Sequence, residues 1–180
     1  MQKIFSVILA AVLIIFSENV FAANDYSRSV GVVVIGSAEF KTPDFYKAVK
    51  NEFSPKSGAK FVVGGDLQNK YQKFLINRDL VGNNIPRRQD LIDFTASSGY
   101  GKVLFIVIPD SSKDHQNNAN HRQKNRVSVQ VDGYLCNHSS VIEAATASHE
   151  SNSKTSDLRA RRGAFKKCLD DLAKNLNRAM

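Results

Sequence analysis

The sequence predicts an α/β fold of the mixed (α+β) kind: one β-sheet with helices packed on it, in the order β-α-β-α-α-β-β-β-α. Three observations predict it. Val30–Ile35 and Lys102–Ile108 are near-continuous β-branched and aliphatic runs, as found in strands covered on both faces. Between them, apolar residues recur at helical spacing. Beyond them, Val127, Val129, Val131 and Leu135 alternate with Ser128, Gln130, Asp132 and Tyr134, the pattern of a strand with one wet face. Helix-linked strands imply parallel pairing through right-handed crossovers, and the late alternating pair adds antiparallel strands.

Residues 1–22 read as a secretory signal peptide, leaving 23–180 as a single domain. Lys3 supplies the positive start, Ile4 to Phe16 is uncharged and mostly apolar, and Val20 and Ala22 place small residues before a cut at Ala23. Such a run reaches roughly 20 Å as a helix, short of the roughly 30 Å hydrocarbon core, so it reads as a leader and not an anchor. No cysteine sits near the cut, which excludes lipidation there. No other run approaches membrane length, so the expected product has no transmembrane span and is periplasmic or secreted.

The elements follow in order. After the strand at Val30–Ile35, Thr42 is a candidate N-cap with Pro43 at the first helical position. Phe45, Val49 and Phe53 give this helix its apolar face. Lys60–Val63 is a short second strand. Gly64-Gly65 turns the chain, with Asp66 as the expected cap of a helix whose inward residues are Leu67, Tyr71, Phe74 and Leu75. A third helix runs from about Arg88 to Ser98, closed by Gly99. The strand at Lys102–Ile108 follows. Residues 111–125 contain no large apolar side chain and read as a solvated loop. Asn137 to Ser140 is turn chemistry, Val141–Ser148 pairs back as a hairpin, and 150–155 reads as polar linker. Ser156 or Asp157 caps a last helix with Leu158, Phe165, Leu169, Leu172 and Leu176 along one line.

Composition narrows the function classes. The chain has 180 residues, 42% apolar and 23% charged, with a net charge of +8. That is enough to bury a core and too apolar for disorder. Two cysteines are too few for a disulfide scaffold or a four-thiolate metal site. Export turns the basic charge away from nucleic acid and toward envelope proteins or anionic polymers.

The opening strand Val30–Ile35, the stretch Ser98–Ile106, the Val127–Asp132 strand leading into Thr146-Ala147-Ser148, and the Ala/Leu-rich closing helix together resemble the small α/β domain of certain envelope proteins. These are the TolB N-terminal domain, the curli-secretion lipoprotein and the Lpo-type activators of penicillin-binding proteins. The resemblance implies a domain that works by binding in the cell envelope and is itself non-catalytic. The chain departs from the lipidated members by lacking their cysteine, and from TolB by lacking a β-propeller.

Candidate sites follow from residue chemistry. Export permits a disulfide between Cys136 and Cys168, which would contribute on the order of 3 kcal/mol; two separate buried thiols are the other reading. His115, His121, His138 and His149 match no zinc spacing, and no metal or cofactor is expected. Ser37, Gly64, Gly65, Asp66 and Asp110 follow strands and could line one cleft at their carboxyl ends, the basis of an alternative reading as a small hydrolase or ligand-binding enzyme. A helix cap explains Asp66 equally well. Arg159, Arg161 and Arg162 form the candidate contact surface for an acidic partner. Arg161 and Arg162 lie roughly 50° either side of the apolar line, a position also compatible with snorkelling past the sheet edge. The sequence therefore points to a non-enzymatic accessory or binding protein of the envelope, recognising a protein or anionic polymer.

Overall fold

A computed structural model describes residues 26–53, 60–80, 86–109, 112–116 and 124–180. The expected leader, Asp110 and His121 lie outside the described residues. Six strands form one mixed sheet: β1 (Ser29–Ile35), β2 (Lys60–Val63), β3 (Lys102–Val107), β4 (Ser112–Gln116), β5 (Lys124–Cys136) and β6 (Val141–Ser153). Four helices accompany them: α1 (Pro43–Glu52), α2 (Asp66–Asn77), α3 (Arg88–Ser98) and α4 (Asp157–Leu176). The fold class matches the sequence reading, and β2, α3 and the start of α4 fall at the expected residues.

The parallel half is β2-β1-β3, with Val32 opposite Val63 and Ile35 opposite Val107. The antiparallel half is built on β5. Its Asp132–Cys136 end pairs with β3, its Lys124–Ser128 end pairs with β4, and β6 runs along its other edge. Alternation along the strands separates two cores. Val30, Val32, Val34, Leu104, Ile106, Val127, Val129, Val131 and Leu135 pack with Phe45, Val49, Phe165, Leu169 and Leu172, so α1 and α4 cover that face. Val33, Phe105 and Val107 pack with Leu67, Tyr71, Leu91 and Phe94, so α2 and α3 cover the opposite face of β1 and β3. Gly133 lets α4 sit close on β5: a methyl group there would come within 2.8 Å of Leu176.

Four local expectations are corrected. The stretch read as a solvated loop contains β4, a wholly polar strand held by backbone pairing to β5, which apolar periodicity could not reveal. The linker read at 150–155 is β6 continuing to Ser153, opposite Asn125. Gly65, with φ +59°, caps α2 while Asp66 begins it, because the chain reverses too tightly there for a residue with a side chain. Leu158 is 44% exposed and lies outside the core, one turn too early for α4 to have reached the sheet. Thr42 does occupy the N-cap position of α1 ahead of Pro43, but its buried hydroxyl makes no cap hydrogen bond. At two other helix ends the chemistry is as expected: the Arg159 amide donates to the Ser156 hydroxyl at 3.3 Å, and Gly99 closes α3 in the left-handed region with φ +85°.

The sheet's two outer edges are finished differently. Beyond the end of β2, the buried Gln68 side chain of α2 reaches β1, accepting from the Val34 amide at 3.1 Å and donating to the Val34 carbonyl at 3.0 Å. It completes the ladder as another strand would. Strand β6, thirteen residues long, pairs only with β5 among the described residues.

Candidate functional site

The three arginines do not share one outward surface. Arg159 is exposed. Arg161 is 4% exposed; it pairs with Glu39, and its guanidinium lies 5.8 Å from the centre of the Phe40 ring. Arg162 pairs at the surface with Asp44. Arg161 therefore belongs to the packing of α4 against the 3₁₀ turn at Ala38–Phe40, and of the expected contact surface for an acidic partner Arg159 and Arg162 stay exposed, Arg162 already paired with Asp44.

Among the described residues of the expected strand-end cleft, Ser37 and Asp66 have different surroundings, and Asp110 lies outside the described residues. Because Val63 pairs with Val32, β2 stops level with the middle of β1, and Gly64–Asp66 turn there, short of Ile35. Ser37 lies past the end of β1, where its hydroxyl donates to Glu39 at 3.1 Å. Asp66 instead joins a groove of about 410 Å³ lined by Tyr26, Val62, Gly64, Gly65, Lys70 and Tyr100. Tyr26 and Tyr100 stack with ring centres 4.7 Å apart. Burial, then the neighbouring Tyr26 and Asp66, push the Tyr100 phenol up, so it stays protonated at neutral pH. The groove thus offers a carboxylate, an ammonium and an aromatic shelf, with no nucleophile held by a base.

The two thiols are free, and the expected bridge is excluded by their placement. Cys136 belongs to the core under α2 and α3, whereas Cys168 belongs to the core under α4, so the sheet lies between them. Cys168 donates to the Val129 carbonyl at 3.3 Å. Burial pushes Cys136 up to about 12 and Cys168 up to about 11, from an ordinary value of 9.0. For an acid whose folded pKa is raised, stability is complete below the unfolded pKa and falls as pH climbs toward the folded one. Between pH 9.0 and about 11 the unfolded chain sheds thiol protons that the folded chain keeps. Urea titrations across that window should lose up to about 1.4 kcal/mol per pH unit per thiol. A Cys136→Ala variant should flatten the slope; an unchanged slope would refute the assignment.

Two of the histidines make structural contacts. The His138 ring nitrogen Nε2 lies 2.8 Å from the Tyr100 carbonyl, and His149 Nε2 lies 2.6 Å from the Asp171 carboxylate. The His149 contact, with Lys174, holds the Asp171 carboxyl below its usual range. No cluster of three His, Cys, Asp or Glu suited to a metal ion occurs among the described residues.

One surface was not singled out from the sequence. Helices α2 and α3 reach β5 only at Tyr134 and Cys136. The rest of the β5–β6 face on that side is open. It presents, in register, Asp132 beside Thr146, Gln130 beside Ser148 and Arg126 beside Asn152, all exposed or half-buried. The surface is hydrogen-bonded within itself: Thr146 and Gln130 both donate to Asp132, at 2.8 and 3.3 Å, and Arg126 Nε donates to Glu150 at 2.8 Å. The sequence signal was the polar half of the alternation in Val127–Leu135, which reports a wet face without saying how far it extends.

No family model and no curated protein matches the chain. Solved structures do. Similar ones include the PelC dodecamer from Paraburkholderia phytofirmans (17% identity, 86% of this chain and 89% of that one, TM-score 0.43) and lipoprotein GNA1162 from Neisseria meningitidis (15%, 82% and 99%, 0.45). Another is the LpoB C-terminal domain from Salmonella enterica (16%, 74% and 90%, 0.37). At these values the likeness is one of chain path alone.

Proposed function

We propose that the chain is an exported, non-enzymatic accessory protein of the cell envelope that recognises a protein through the open β5–β6 face. The observation that carries this reading is that face itself: a two-stranded surface rich in donors and acceptors and left uncovered by every described helix. Its charges are mixed, Arg126 against Asp132 and Glu150, which suits the polar surface of a protein better than a polyanion. The arginines expected to face an acidic partner give an anionic polymer little support, because Arg161 and Arg162 are engaged by Glu39 and Asp44. The hydrolase reading near Asp66 and Asp110 draws less support, since Ser37 bonds to Glu39 while Asp66 lines a separate groove. The expected leader at 1–22 supplies the route to the envelope.

A photo-crosslinking residue placed at Gln130 should capture a distinct envelope protein, while the same residue at exposed Lys47 on α1 should not. Equal capture from both positions, capture from neither, or turnover of ester or phosphate substrates by the purified protein would defeat the proposal.

A further inference from the structure

Resting on that reading of the β5–β6 face, we infer that the open edge of β6 pairs antiparallel with the same edge of a second copy, joining two such faces into one four-stranded platform. The edge has the length for it: thirteen residues span roughly 44 Å. Apart from Glu143 and Glu150, it also lacks the usual protection. Residues 141–153 contain no Lys, Arg or Pro, the groups that blunt an exposed edge, whereas the opposite side of the sheet ends in a four-residue strand and is closed by Gln68.

The strand's own charges select the occupant and the register. Its ionisable residues are Glu143, His149 and Glu150. Antiparallel pairing centred on Thr146 sets Glu143 opposite His149 of the second copy, Ala144 opposite Ser148, and Glu150 opposite Ile142, so no carboxylate meets another. A shift of one residue would oppose Glu143 and Glu150, and a parallel in-register arrangement would set each glutamate on itself, both unfavourable. The pairing brings the two α4 helices side by side above β6, where His149 contacts Asp171 and Lys174 contacts Asp171 in turn. That flank is of mixed sign, so the helices meet without opposing the chain's net charge of +8 directly.

Sedimentation of the purified protein from low micromolar concentration upward should give a dimer. The Ala144→Lys, Ser148→Lys double variant places lysines opposite one another across the axis and should weaken the dimer at least tenfold. The Ala144→Glu, Ser148→Lys variant sets each glutamate opposite a lysine of the second copy and should restore it. Both positions are exposed, and thermal melting of each variant verifies that the fold is kept. A monomeric wild type, or a double-lysine variant as dimeric as wild type, overturns the inference. A monomer that still gives the Gln130 crosslink leaves the proposed recognition face standing and removes only the self-pairing.

Discussion

A Glu39→Ala variant should lose about 2–3 kcal/mol of stability, while Arg162→Ala should change it by less than about 0.5 kcal/mol. The two ion pairs are sequence neighbours on α4, and burial separates them. Arg162 and Asp44 are both solvent-exposed, so water replaces their attraction when either is removed. The Arg161 side chain is 5% exposed, and Glu39 is its only carboxylate partner among the described residues. Without Glu39, a guanidinium stays charged between Phe40 and the body of α4, and its Nε already lacks a hydrogen-bond partner. The figure sits below the usual loss for breaking a buried pair because Glu39 is itself a third exposed and water would reach part of the vacated space. Arg161→Met combined with Glu39→Ala removes the stranded charge and fills the volume, so the double variant should be more stable than Glu39→Ala alone. Urea unfolding of the four proteins checks this. A Glu39→Ala loss no larger than that of Arg162→Ala would show that the pair is a surface contact. The expectation that Arg161 and Arg162 act together toward a partner falls on the same ground: altering Arg161 should lower the melting temperature by itself.

What was legible in the sequence was what apolar residues write. Val30–Ile35, Lys60–Val63 and the Lys102 strand carry enough β-branched side chains to announce themselves, and Gly99 and Ser156 mark helix ends through conformations and cap bonds that few residues supply. Elements made by backbone pairing alone were not legible. Strand β4 and the last turns of β6 are polar, and they exist because β5 offers an unsatisfied ladder beside them. The candidate site suffered from the same gap. The register Val32 opposite Val63 is a three-dimensional fact, and it alone decides that Asp66 meets Tyr100 instead of Ser37. For Arg161, an angle about the helix axis could say that it lay near the apolar stripe but not that the turn at Ala38–Phe40 would close over it. For the cysteines, the sequence placed each near a buried face without showing that the two faces were opposite sides of one sheet.

Gln68→Leu should be as damaging, at about 2–5 kcal/mol, because it orphans two backbone groups at once. The Val34 amide and carbonyl lie past the end of β2, and the Gln68 amide is the one group that serves both, as acceptor at 3.1 Å and donor at 3.0 Å. Leucine fills the space and answers neither. Gln68→Glu separates the two halves of the contact. At neutral pH its carboxylate still accepts from the Val34 amide, but the other oxygen faces the Val34 carbonyl with no proton between them, so the variant should be nearly as weak as Leu. Protonation restores a donor. The glutamate pKa is therefore raised in the folded state, and the Glu variant should regain stability relative to Gln as pH falls toward about 4, while the Leu variant should not. Hydrogen exchange gives a local reading of the same event: the Val34 amide should be protected in the wild type and exchange orders of magnitude faster in Gln68→Leu, with the Val32 amide much less affected because β2 still pairs there. Uniform acceleration along β1 would mean that the whole strand had loosened. Unchanged protection at Val34 would mean that Gln68 is not the partner that closes this edge, and the contrast between a sealed edge at β1 and an open one at β6 would lose its first term.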